Sequence, residues 1–92
     1  MKVMTILGTR PEIIRLACVI KMLDKHCDHI LVHTGQNYDR ALNQVFFEDL
    51  DLRLPDHVLE TKSSSIQGQI SAIIDKTGDV MDLERPDAVL IL

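Results

Sequence analysis

The chain has 92 residues, of which 46 % are hydrophobic and 26 % charged, with a formal net charge of −4. That composition suits one small globular domain or part of one and excludes a disordered chain. The acidic balance, with one Tyr, two Phe and no Trp, leaves neither a basic face nor stacking surface for nucleic acid.

The first predicted element is a strand over residues 3–7, Val-Met-Thr-Ile-Leu. Gly8-Thr9-Arg10-Pro11-Glu12 follows and opens a helix over residues 11–25. Thr9 and Glu12 have the spacing of a capping box, and Pro11 sits in the first turn, where a missing N–H costs nothing. Capping explains Thr9, Pro11 and Glu12 but not Arg10. A cation at a helix start is disfavoured by roughly 0.3–1 kcal/mol unless an anion lies nearby. Helix N-termini bind phosphates through free N–H groups, so the turn has two readings from its spacing, a structural cap first and an anion site second. The apolar positions of this helix are too many for one half-exposed face, which predicts cover on two sides. Arg15 interrupts them, either reaching solvent along its stem, pairing with Glu12, or pointing into a polar cleft.

A second strand is predicted over residues 29–33, then a turn, Thr34-Gly35-Gln36-Asn37. The second helix is placed at residues 38–47, with Leu42, Val45 and Phe46 as its core stripe. Glu48, Asp49 and Asp51 follow on a solvated face. The alternation over residues 49–54 ends at Pro55, which leaves a loop or a short edge strand near residues 57–59. Ser64 and Gln67 suggest a second capping box opening a helix over residues 65–83, with a break near Thr77 and Gly78, and Pro86 stops it. Residues 88–92, Ala-Val-Leu-Ile-Leu, form a wholly apolar run, the pattern of a strand buried on both faces of a parallel sheet. The alternation of strands and helices predicts an α/β, doubly wound, parallel half-domain. A buried strand without a covering helix after it suggests the N-terminal piece of a longer chain.

In such sheets ligands lie outside the carboxyl ends of the strands, next to Gly8–Arg10 and residues 34–37. Neither GxGxxG nor GxxxxGK[ST] occurs, so a dinucleotide fingerprint and a P-loop are both absent. His26 and His29 fall in a helix-to-strand turn and are read as solvated; His33 ends its strand on the ligand edge. No histidine or cysteine spacing suits zinc, and Cys18 and Cys27 are read as reduced thiols, so no metal or cofactor is expected. No apolar run nears the ~18 residues that span a bilayer, and Arg10, Pro11 and Glu12 break any signal-peptide core, which makes the cytoplasm the default.

Residues 2–15, from Lys-Val-Met-Thr-Ile-Leu-Gly-Thr-Arg-Pro-Glu to Ile-Ile-Arg, resemble the opening of the non-hydrolysing UDP-N-acetylglucosamine 2-epimerases. Residues 32–38, Val-His-Thr-Gly-Gln-Asn-Tyr, look like that family's second-strand turn, and residues 85–92 are similar to the strand before its Gly-Asp-Thr motif. The resemblance implies that residues 1–92 are the N-terminal part of the Rossmann-like domain of a two-domain, glycosyltransferase-B-type fold. It implies inversion of C2 of a UDP-N-acetylhexosamine by elimination of UDP to a glycal and re-addition. Arg10 and Arg15 would then bind the UDP moiety, with Gly8, Thr9, Gln36 and Asn37 at the cleft edge and the catalytic groups beyond Leu92. Arg15 stands where many members have Lys and Asn37 where many have His. Those departures lean towards the branch that makes UDP-N-acetyl-L-fucosamine for capsule or O-antigen. A UDP-sugar partner and a homodimer are implied for the full-length enzyme. A UDP-sugar glycosyltransferase of the same fold and an inactive remnant or binding module are the alternatives.

Overall fold

The computed structural model describes residues 1–35, 40–59 and 65–91, with Arg10 and residues 40–43 described in their backbone only. In chain order the elements are β1 (Lys2–Leu7), α1 (Arg10–His26), β2 (Asp28–His33), α2 (Arg40–Asp49), β3 (His57–Val58), α3 (Ile66–Glu84) and β4 (Ala88–Ile91). The four strands pair in parallel in the order β3-β2-β1-β4. β1 and β2 run in full register from Lys2 opposite Asp28 to Leu7 opposite His33, so both end at the same edge.

Alternation along the strands builds two cores, one on each face of the sheet. On one face Leu7 and Leu31 meet Ile13, Leu16 and Ile20 of α1, Phe47 of α2 and Leu52. On the other, Met4, Ile6 and Val32 meet Val80 of α3 and Leu59. Each fully buried aliphatic side chain contributes about 1.5–3 kcal/mol of transfer free energy, so these central positions hold the sheet and helices together.

Local signals explain the element ends. Thr9 and Glu12 form the expected capping box at the start of α1. Helix α3 closes at Arg85, which takes a left-handed conformation (φ 48°) and donates its N–H to the Met81 carbonyl before Pro86. Asp87 then locks the start of β4. Its N–H donates to the Lys2 carbonyl at 2.7 Å, and its carboxylate accepts the Lys2 N–H at 2.8 Å.

Five sequence expectations are corrected. The cap of α3 is Ser65, whose side chain accepts the Gly68 N–H at 3.0 Å, so the helix starts one residue later than a Ser64 capping box requires, and Ser64 itself lies outside the described residues. The helix runs unbroken through Thr77 and Gly78, because one glycine costs only about 1 kcal/mol and the helix is long enough to absorb it. In α2 Phe46 packs half-buried against the core as expected, but the fully buried residue is Phe47 and Val45 is 55 % exposed; three consecutive apolar residues left the helical phase ambiguous. Leu42 falls among the side chains that are not described. Among the described residues nothing covers one side of α1, with Ile14, Val19 and Met22 exposed. Finally, Val89 and Ile91 of β4 are exposed within these 92 residues, because among the described residues no helix follows β4 to cover the face they project from.

Candidate functional site

The carboxyl ends of β1, β2 and β4 and the start of α1 converge on one edge. A cleft of about 440 Å³ opens there, lined by Gly8, Glu12 and Thr34 on one side and by Thr77, Gly78 and Met81 of α3 on another. Two turns form its floor. The Thr34 N–H donates to the Leu7 carbonyl at 2.8 Å and ties one turn to the other.

The β1–α1 turn is held by its own carboxylate. Oε2 of Glu12 accepts the Gly8 N–H at 2.7 Å and the Thr9 N–H at 3.1 Å. This changes the sequence reading of the turn. The amides of Gly8 and Thr9 that a phosphate would use already face an anion, and that anion is internal. Arg10 is the first residue of α1, and it is described in its backbone only. Arg15 lies on the exposed surface of α1. Its pairing with Glu12 does not form, since the Glu12 carboxylate is turned back onto the amides. Gln36 and Asn37 lie outside the described residues.

The β2 turn is held by a histidine. His33 is 1 % exposed, and its ring Nδ1 accepts the Gly35 N–H at 2.9 Å. Gly35 has φ 87°, a left-handed conformation that glycine adopts without the steric penalty of a side chain. Burial lowers the pKa of His33 from its ordinary value, against a smaller opposite pull from the Glu12 charge. The placement of His33 on the ligand edge was legible in the sequence, but its bond to Gly35 was not singled out. The available signal was a strand-ending histidine two residues before a glycine.

His29, read as solvated, is instead buried. Its Nδ1 donates to Asp24 Oδ1 at 2.6 Å and its Nε2 lies 2.7 Å from the hydroxyl of the fully buried Thr5. Arg53 extends the network, donating from Nε to Asp24 at 3.1 Å, from Nη1 to Asp56 at 2.9 Å and from Nη2 to the His29 carbonyl at 2.9 Å. Burial works against the Arg53 charge, but the hydrogen bonds to Asp56 and Asp24 outweigh it and raise its pKa. Thr5, His29 and Asp24 stand in the hydroxyl–imidazole–carboxylate order of a nucleophilic triad. With Thr5 inside the sheet and 0 % exposed, no substrate reaches the hydroxyl, and the network is structural. His26 is exposed, as read from its turn, and the thiols of Cys18 and Cys27 are free. No group of three or more metal-ligating side chains occurs among the described residues, and no described helix is long and apolar enough to cross a membrane.

A doubly wound parallel sheet binds its ligands outside the carboxyl ends of its strands, where this cleft and the β1–α1 turn lie. Residues 21–92 match the family model described as UDP-N-acetylglucosamine 2-epimerase. A solved structure named as a UDP-N-acetylglucosamine 2-epimerase from Rickettsia bellii superposes on 99 % of the chain with a TM-score of 0.88 at 55 % identity. The Methanocaldococcus jannaschii UDP-GlcNAc 2-epimerase, solved in complex with UDP-GlcNAc and UDP, does so with a TM-score of 0.88 at 37 % identity. A Methanococcus maripaludis UDP-N-acetylglucosamine 2-epimerase homolog is 37 % identical over 91 residues, 99 % of this chain. The chain belongs to the UDP-N-acetylglucosamine 2-epimerase family. It spans about a quarter of the length of these relatives, covering 24 %, 25 % and 26 % of them respectively.

Proposed function

We propose that the full-length protein is a non-hydrolysing 2-epimerase that inverts C2 of a UDP-N-acetylhexosamine. In the forward half-reaction the C2 proton is removed and the C1–O bond to UDP breaks, leaving a glycal and UDP. In the return half, a UDP oxygen attacks C1 and a proton reaches C2 from the opposite face. The observation that carries this reading is the likeness to the Methanocaldococcus jannaschii enzyme solved with UDP-GlcNAc and UDP, which extends over 99 % of this chain.

Arg10 and Arg15 serve the UDP moiety. Elimination places charge on the departing diphosphate, and a preorganised cation stabilises that charge as it develops. Gly8, Thr9, Gln36 and Asn37 form the cleft edge. Because the Gly8 and Thr9 amides hold Glu12, these two residues contribute the shape of the turn and Arg10 contributes the charge. The groups that move the C2 proton belong to the part of the relatives that this chain does not cover. In the same reading, residues 1–92 are the N-terminal part of the Rossmann-like domain of a two-domain, glycosyltransferase-B-type enzyme. That enzyme works as a cytoplasmic homodimer in surface polysaccharide synthesis, and its substrate is UDP-GlcNAc or a 6-deoxy-L-hexosamine analogue.

The test is incubation of the full-length protein with UDP-GlcNAc, and separately with the 6-deoxy-L-talose-type sugar nucleotide, in D2O without an acceptor. The expected result is the C2 epimer carrying deuterium at C2 in the NMR spectrum. If neither sugar nucleotide is epimerised, the reading is wrong; turnover only after an acceptor is added identifies a glycosyltransferase instead.

A further inference from the structure

Of the two buried histidines, His29 is accounted for by a closed structural network. His33 is different: it bonds forward along the chain, onto the turn at the ligand edge. Its Nδ1 accepts the Gly35 N–H at 2.9 Å, an i to i+2 side-chain-to-backbone bond of the kind Asn and Asp use to build turns. A histidine makes this bond only with Nδ1 unprotonated, so the neutral ring carries its proton on Nε2. The same turn is tied to β1 by the Thr34 N–H on the Leu7 carbonyl and to the β3 side by the Leu59 N–H on the His33 carbonyl at 2.9 Å. Of the three ties, the His33 ring is the one that protonation can break.

Among the described side chains of α1, Glu12 is the charged group that acts on the ring, and it pins the neighbouring turn through Gly8 and Thr9. Leu7 of β1 and Val58 of β3 pair with His33 across the sheet and bring no titratable group, and His57 precedes Val58. Burial keeps the ring in its neutral, accepting form.

We propose that His33 is a positioning residue of the nucleotide-sugar site, whose Nδ1 sets the left-handed Gly35 turn at the ligand edge beside Glu12 and Gly8. The proposal rests on the UDP-sugar reading above.

Two substitutions in the full-length protein separate the ring's acceptor from its bulk. His33→Asn places a carbonyl oxygen near the position of Nδ1 and keeps an acceptor for Gly35. His33→Gln places its amide near Nε2 and removes that acceptor. The expected result, on protein shown to be folded by circular dichroism, is UDP affinity within about twofold of wild type for H33N. For H33Q a loss of about tenfold is expected, the scale of one hydrogen bond, with KM rising more than kcat falls. Equal UDP affinity in the two variants, whether retained or lost, overturns the proposal.

The exchange rate of the Gly35 amide is a readout independent of the nucleotide. It rises about tenfold or more in H33Q and stays near wild type in H33N; unchanged exchange in H33Q overturns the positioning role. Failure of the wild-type protein to bind UDP overturns the UDP-sugar reading instead. A ring nitrogen spectrum of the wild type needs no variant to fold: Nδ1 is expected unprotonated at neutral pH, and a protonated Nδ1 overturns the proposal.

Discussion

The buried histidines mark two regions of one sheet that use the same chemistry to different ends. Around His29 both ring nitrogens, the Asp24 carboxylate and the Arg53 guanidinium are paired with one another, and the network closes on itself. At the carboxyl edge, Glu12 and His33 instead hold backbone amides, those of Gly8, Thr9 and Gly35. A closed side-chain network stiffens the fold. Side chains that grip amides set the shape of turns, and here those turns border a cleft. The comparison teaches that in this chain burial of a polar group is not the mark of a site; what the group is bonded to is.

The largest expected effect lies on the edge. If Arg10 serves the departing diphosphate as proposed, Arg10→Ala in the full-length protein should lower kcat about 10²–10³-fold, the scale for removing one preorganised group that faces developing charge. The melting temperature should change little, because a cation at a helix start contributes little to stability and that little is unfavourable. Steady-state kinetics and a thermal melt on the same sample check this. An Arg10→Ala protein that melts early but keeps its activity per folded molecule erases the distinction between the two regions.

The structural network should respond in the opposite way. Thr5→Val keeps the shape of a fully buried side chain and leaves His29 Nε2 without its 2.7 Å partner. A buried polar group so deprived costs about 1–3 kcal/mol. Urea denaturation should show that loss with an unchanged slope, while activity per folded molecule stays at the wild-type level.

The two regions also show how far sequence carries. The strand before Gly8, the capping box of Thr9 and Glu12 and the stop at Pro86 depend on neighbours within four residues, and all were legible. The parallel doubly wound order was legible too, since alternation of element types restricts the topology to few choices. His29 was misread because its partners are Asp24 and Thr5, five and 24 residues away, and Arg53, also 24 residues away; only the fold brings them together. The amide grip of Glu12 was half legible. Its spacing announced the bond to Thr9, but not that Gly8 would be held as well, nor that the carboxylate would occupy amides otherwise available to phosphate. For Arg10, Arg15, Gln36 and Asn37 the sequence spoke mainly through resemblance.

A pH titration sharpens the contrast from the His33 side. Burial lowers the His33 pKa below the ordinary 6.5. The unfolded chain therefore takes up a proton near 6.5 while the folded ring stays neutral. Below that pH the unfolded state binds more protons, and stability falls. The contribution of His33 is complete above the ordinary histidine value and is lost as pH drops from there through the folded value. The slope is at most about 1.4 kcal/mol per pH unit from this residue. Denaturation midpoints between pH 7.5 and 5, compared for wild type and H33N, isolate it: the asparagine variant should lose this part of the pH dependence.

The smallest expected effect concerns the far wall of the cleft. A Cβ built on Gly78 meets nothing within 4 Å, and the residue lies inside α3, where glycine costs about 1 kcal/mol relative to alanine. Packing among the described residues therefore gives no reason for a glycine. Beside it, Oγ1 of Thr77 is buried without a hydrogen-bond partner among those residues. Both line the cleft. On these 92 residues expressed alone, Gly78→Ala should raise stability by about 0.5–1 kcal/mol, provided they fold, which a cooperative urea transition must first establish. The same substitution in the full-length protein has a different meaning. A gain of similar size there shows that the space beside Gly78 stays open in the whole protein. A loss shows that backbone or ligand approaches α3 at this point, and that the apolar wall of the cleft belongs to the same working edge as Glu12 and His33.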